Sequence, residues 1–469
     1  LYYLLSKLNN FYFRAAKNKS LPQYVNFLSM LLIAGFNSHV MFTCFYPGNI
    51  TSDSVSIMQQ ALNGSYSNHH PYYYTKTVEF FLMRGMEWFH HDINASAALF
   101  HVFQIIFMAA CISYIIVTLY QMEISFILIL SCWLWYIIMP YHIMFSFTMW
   151  KDVMFGGFVS VFIVSVFRIW KKIGKNSFIN DSMLIVGGIG TCLYRSNGWM
   201  ACFLAFLVFL FLFGEEQEKR KMSLQFLGVI LISFLLNYPL LQAINVSQPS
   251  IVEALSVPVQ QMAKIVKECD DISEENIELL RKVVDIDHIS EIYRPENSGP
   301  VINLIKEGNW QYFLEHKAIY IKLYIEMSLS HFTESTEAWI DLTKGYWNGG
   351  YSRWKWADWI EGGEELGIQR TVSVKTARRL LDNYLWIYDN NSFFQIFCSI
   401  GFHVWIIICL AFLSIIRKDK ESFFLTIPII ANVITLLMTA PVYSEFRYLY
   451  ALFCCIPFII FGMFYERYI

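Results

Sequence analysis

Residues 95–119 run without a single Asp, Glu, Lys or Arg, and stretches of this kind recur from one end of the chain to the other. About 20 apolar residues are what an α-helix needs to cross about 30 Å of hydrocarbon, and within lipid only helices or closed barrels satisfy every backbone N–H and C=O. Stretches near that length can be read at 24–45, 95–119, 124–141, 152–170, 181–195, 198–213, 223–243, 394–415, 422–441 and 447–466. The composition agrees: 56% of residues are apolar and only 15% are charged, a balance that lipid can cover and water cannot. The expected fold class is all-α, a polytopic transmembrane helical bundle of about ten spans. A net charge of −2 offers no basic field to neutralise phosphates, so no nucleic-acid partner is expected.

Orientation follows from where the basic residues gather. With Lys7, Arg14, Lys17 and Lys19 on the cytoplasmic side, the clusters at 168–175, 215–221 and 417–420 also fall inside, as does Glu466-Arg467. The expectation is a multi-pass protein of the cell membrane with both termini cytoplasmic. No cleavable leader is read; the stretch 24–45 is long enough to serve as an uncleaved anchor.

Two polar regions then lie outside. The first, 46–94, carries helical patterns at 54–62 and 74–89. The second, 245–391, holds roughly half of the charges in the chain. Its amphipathic pieces, at 259–269, 273–284 and 310–332, predict a small α-helical extracytoplasmic domain, with Ser273 and Glu275–Glu278 as a helix-start signal. The domain division is thus 1–243, an N-terminal transmembrane module with its first loop; 244–393, the extracytoplasmic helical domain; and 394–469, a C-terminal transmembrane module. Of ten cysteines, only Cys269 lies in the polar insert, so no disulfide framework is expected.

The polar residues at membrane depth gather on one side. Asp53 follows the first span, Lys151-Asp152 opens the fourth, Arg195 and Asn197 sit at the tip of a hairpin of two short helices, and Glu445 and Arg447 open the last. Short or broken helices meeting at polar residues line cavities rather than face lipid. Charges at span ends also serve as snorkelling anchors, but their convergence on one face favours a site. Three cations near headgroup level suit a phosphate carried on a lipid. A carboxylate at the mouth suits a general base; the plainer alternative is that Ser52 or Asp53 is a helix cap.

The elements Tyr46-Pro47-Gly48, Asp53-Ser54, Gln60-Ala61 and His69-His70-Pro71 resemble the first extracytoplasmic loop of membrane glycosyltransferases of the GT-C class. Trp150-Lys151-Asp152, Tyr194-Arg195-Ser196-Asn197-Gly198, Ser256-Val257-Pro258-Val259-Gln260-Gln261 and Arg447-Tyr448 are similar to an uncharacterised bacterial group of that class. The resemblance implies inverting transfer of a sugar from a polyprenyl-phosphate donor to an extracytoplasmic acceptor, a cell-surface glycan or polymer. It places Asp53 as catalytic base and Lys151, Arg195 and Arg447 as donor-phosphate ligands. His69, His70, Asp152, Asn197 and Glu445 would complete the substrate site.

No cofactor is expected, although His69-His70 with His90-His91-Asp92 would be a divalent-metal candidate. The aromatic run Tyr346-Trp347 through Trp354, Trp356 and Trp359 reads either as an interfacial belt or as a stacking surface for sugar rings. Two other functions fit parts of the pattern: a transporter or flippase of a lipid-linked glycan, and a lipid-pyrophosphate-dependent polymerase or ligase. A transporter should carry inverted repeats and midplane polarity, and neither is visible.

Overall fold

The computed structural model describes residues 21–174, 176–216, 219–350 and 359–465. The basic residues Lys7, Arg14, Lys17 and Lys19, the terminal Glu466-Arg467, and Trp354 and Trp356 lie outside these described residues. Within them the chain is all-helical; its only β pairings are isolated bridges.

Six helices are long and apolar enough to cross a membrane: Pro22–Cys44, Ile93–Gln121, Lys151–Trp170, Arg220–Ala243, Lys420–Thr439 and Phe446–Met463. A seventh candidate is a pair, Phe126–Ile138 and Pro140–Ser146, bent by 55°. Pro140 has no N–H to continue the ladder, and its ring pushes Met139 out of the helical region, to ψ 125. Three shorter apolar helices, Ser177–Leu193, Gly198–Phe213 and Ile400–Ile416, occupy the remaining apolar stretches.

Lys151–Trp170 is the central helix. It packs against Ile93–Gln121, Ser177–Leu193 and Tyr450–Met463. Pro22–Cys44 and Arg220–Ala243 stand at the periphery, with large apolar side chains such as Phe27, Leu31, Leu231 and Phe234 on the outside. An apolar exterior on an apolar bundle is what a lipid solvent permits, and helices then associate by close packing rather than by hydrophobic exclusion. Gly187 shows how close: a Cβ there would lie 2.7 Å from the backbone nitrogen of Phe162.

The polar insert has its own apolar core, built from Ala263, Ile265, Leu280, Val283, Val301, Leu323 and Met327 among others. Helix Ser256–Glu268 begins slightly earlier than its sequence pattern, and Glu274–Arg281 starts behind Ser273, whose hydroxyl accepts from Asn276 N–H. The pattern at 310–332 is not one helix. It divides into Trp310–Glu315, Lys317–Ser330 and Phe332–Trp347, with corners at His316 and His331. Apolar periodicity carries across both corners, which hides them from a periodicity reading.

The Gly187 contact can be tested against a glycine that has room. Gly187→Ala must displace the Phe162 backbone and should lower the melting temperature in detergent by several degrees, roughly 1–3 kcal/mol. Gly228→Ala, on an outer helix with nothing within 4 Å, should be neutral or slightly stabilising. Equal melting temperatures for both variants would remove the close-packing argument.

Candidate functional site

The loop after the first helix is held as a hydrogen-bonded block. Gly48 sits at φ 121 with the His101 ring where a side chain would be, so only glycine fits. Asn49 N–H donates to Phe147 O at 2.7 Å, and Met149 N–H returns to Asn49 O at 3.2 Å. Gln104 Nε2 lies within 3.2 Å of the carbonyl oxygens of Phe145, Ser146 and Thr148. The first loop and the approach to Lys151 are therefore fixed relative to each other.

Helix Ser52–Asn63 is capped by Thr51, not by Ser52 or Asp53. Ser54 Oγ accepts from Thr51 N–H at 3.0 Å and donates to Met149 O at 2.9 Å, while the Trp150 indole donates to Thr51 Oγ1 at 2.9 Å. Asp53 is thereby left for tertiary contact. Its carboxylate accepts from Arg447 at 2.6 Å, and the Arg447 guanidinium lies over the Trp150 ring, 4.8 Å from its centroid. Glu445 approaches the same guanidinium at 3.6 Å. Burial alone would raise the Asp53 carboxyl, but the charges of Arg447, Lys151 and His70 and the Arg447 hydrogen bond outweigh it and hold it at about 2.

Arg195 lies deeper and is spoken for. Its guanidinium donates to Asp152, to Tyr448 O at 3.0 Å and to Asn197 Oδ1 at 2.8 Å, and it faces the Tyr448 ring. Asn197 in turn donates to Thr435 Oγ1 at 2.8 Å. The side chains of Arg195 and Asp152 are 7% and 1% exposed, so each is the other's condition for being buried. Lys151 differs: it is half-buried and, among the described residues, has no hydrogen bond or ion pair.

His70 is buried beside Asp53 and Lys151; burial and then Lys151 hold its imidazole down to about 3, so it is neutral. Its Nδ1 has no hydrogen-bond partner among the described residues, nor does Asp152 Oδ2 or the Tyr74 hydroxyl. His69 instead meets Glu253 of the insert at 3.3 Å, and Glu253 also binds Lys306 at 2.5 Å. The histidine set weighed as a metal candidate is not assembled among the described residues. His90 and His91 are exposed past the end of helix Tyr72–Trp88, and no three of His69, His70, His90, His91 and Asp92 bring ligand atoms together.

The predicted residues thus form one cluster, with His69 at its edge. Sequence reasoning missed the residues that hold it from the insert. Arg370 donates to Gly48 O and Asn49 Oδ1, both at 2.7 Å, and to Trp359 O at 3.0 Å. Tyr346 OH donates to Val442 O at 2.9 Å and accepts from Glu445 N–H at 3.2 Å. Trp359 packs on Trp150, and Tyr346 is fully buried, which is not the exposure expected of an interfacial belt. The only signal for Arg370 was an arginine in an otherwise unpatterned stretch.

Residues 63–468 match a family described as "Family of unknown function (DUF6020)", and with most of its length matched the chain belongs to that family. Asp53 precedes the matched stretch, and the other residues of the cluster fall within it. No curated protein and no solved structure matches the chain.

The Arg195–Asp152 pair makes a measurable claim. Arg195→Ala should cost on the order of 3 kcal/mol by stranding a buried carboxylate, seen as a lower melting temperature in detergent. Adding Asp152→Ala should recover more than half of that loss. Losses that simply add would show that the two side chains do not depend on each other.

Proposed function

We propose that this member of the DUF6020 family is a membrane glycosyltransferase that moves a sugar from a polyprenyl-phosphate donor to an acceptor outside the cytoplasm. The observation that carries the reading is a half-buried Lys151 that makes no hydrogen bond or ion pair among the described residues, beside the more open Asp53–Arg447 ion pair. An ammonium at that depth with its donors unused calls for an acceptor, and a phosphate on a lipid can reach it from the bilayer. The resemblance of the first loop to the GT-C class supports the same chemistry.

In this reading the donor phosphate settles on Lys151 and competes with Asp53 for Arg447. Asp53 in its resting pair is too weak a base to take a hydroxyl proton efficiently. When the phosphate takes over the guanidinium, the carboxylate loses its nearest cation and its proton affinity rises. The acceptor oxygen then attacks the anomeric carbon from the face opposite the phosphate. Its proton passes to Asp53, and the bond from the anomeric carbon to the phosphate oxygen breaks with its electron pair on the phosphate, where Lys151 and Arg447 hold the charge. Configuration inverts. Arg195, Asp152 and Asn197 act as scaffold beneath the site, while His70, Tyr74 and Glu445 line it for substrate hydroxyls.

Six helices are long and apolar enough to cross, seven with the bent pair; this reading takes the three shorter apolar helices as crossings too, ten in all. An even count puts both ends on one side, with the cluster and the insert on the other.

Asp53→Asn keeps size and hydrogen bonding but removes basicity. Transfer by reconstituted protein should fall roughly 10²-fold while donor binding survives; near-normal transfer would remove Asp53 from the base role. Lys151→Gln should instead weaken donor binding, measured with a polyprenyl-phosphate sugar. The acid limb adds a sign. A depressed carboxyl in the free protein puts the limb of kcat/KM at very low pH, and release of Arg447 in the complex should move the limb of kcat upward. Coincident limbs would contradict the exchange of partners.

A further inference from the structure

Away from the cluster, two distant segments of the insert bring four potential metal ligands to one corner. Cys269 follows the last residue of helix Ser256–Glu268, and Asp271 lies two residues on. His331 forms the corner between helices Lys317–Ser330 and Phe332–Trp347, and Glu334 stands in the first turn of the second. Both of these helices pack on Ser256–Glu268. One ligand atom each from Cys269, His331 and Glu334 lies within 4.8 Å of the other two. Asp271 Oδ1 is 3.8 Å from His331 Nδ1.

We propose that Cys269, His331 and Glu334 bind a divalent transition-metal ion, with Asp271 completing a four-coordinate site. The donor set of one thiolate, one imidazole and one or two carboxylates suits Zn²⁺, which takes sulfur, nitrogen and oxygen in tetrahedral array. At bond lengths of about 2.0–2.3 Å the ligand atoms of such a site are about 3.5 Å apart. Closure therefore asks for an inward movement of about 1 Å by side chains at helix ends, where none is fully buried. Cys269 binds as the thiolate and gives its proton to solvent. The ion would staple the end of one helix to the corner of two others and lock the domain that holds both loops of the membrane site.

The test uses the full chain in detergent, stripped with a chelator, dialysed and titrated with Zn²⁺ or Co²⁺ alone. One Zn²⁺ per chain by elemental analysis is expected. The Co²⁺ form should show tetrahedral visible bands together with a thiolate charge-transfer band, and Cys269→Ser should abolish the latter. His331→Ala and Glu334→Gln should each weaken binding by about tenfold or more. Zn²⁺ should raise the melting temperature of the wild-type chain but not of the Cys269→Ser/His331→Ala double variant. If that variant fails to fold, Glu334→Gln, a change at a half-buried side chain, carries the comparison. Metal content and spectra unchanged by these substitutions, or no Zn²⁺ retained by the wild-type chain, would overturn the site. None of these readouts depends on sugar transfer, so the proposal and the glycosyltransferase reading fail separately.

Discussion

A charge carried into an apolar bundle must be met by another charge or by enough hydrogen bonds, and the architecture around Lys151 follows from that requirement. Arg195 and Asp152 are almost without solvent and hold each other. Asp53 and Arg447 pair nearer the opening, where water still reaches the carboxylate. Each pair joins helices far apart in sequence, so satisfying the charges also ties together the Lys151 helix, the turn between the two short helices, the last span and the first loop. Lys151 makes no hydrogen bond or ion pair among the described residues and feels Asp152 and Asp53 only through space. A half-buried cation with its hydrogen-bonding capacity unused is a natural place for a ligand.

That balance depends on loops, and loops need anchoring. The insert supplies the anchors from two directions. Arg370 gathers backbone oxygens around Gly48 and Trp359, and Thr371 N–H binds Tyr46 O at 2.9 Å. On the other side Tyr346 holds Val442 and Glu445, while Tyr443 N–H binds Glu296 O at 3.0 Å and Ser298 N–H binds Pro441 O at 2.9 Å. Asp53 is thus positioned through one end of the insert and Arg447 through the other. A distortion of the insert would change the distance between them without touching either residue, which is why mutations far from a site can still act on it.

How much of this was legible depended on the kind of signal. Apolar length revealed the bundle, because lipid enforces it over whole segments. Even so, three stretches proved shorter than a full span and one bends at Pro140. The charged cluster was legible because charge is rare at span ends; its inner logic was not. The sequence offers Asp152 as a candidate partner for Arg195, but does not say that Lys151, one residue away, would make no hydrogen bond or ion pair. That choice is made by helix rotation, which sequence spacing does not encode for helices separated by long loops. The corners at His316 and His331 were hidden because apolar residues keep their spacing through them. Arg370 was hard to see because it is held largely by backbone oxygens, which leave no mark in the side-chain pattern.

The Asp53–Arg447 pair also resolves an apparent conflict in the glycosyltransferase reading. A carboxylate held at about 2 is a poor base at neutral pH. The same guanidinium that weakens it is the one a phosphate would seek. The resting pair then keeps Asp53 deprotonated and aimed while preventing it from activating water or a stray hydroxyl. The carboxylate gains basicity only when an anion displaces it from Arg447, that is, when donor is present. Such a gate needs no moving domain; it needs only two anions with unequal claims on one cation, and Lys151 tilts the claim toward the phosphate.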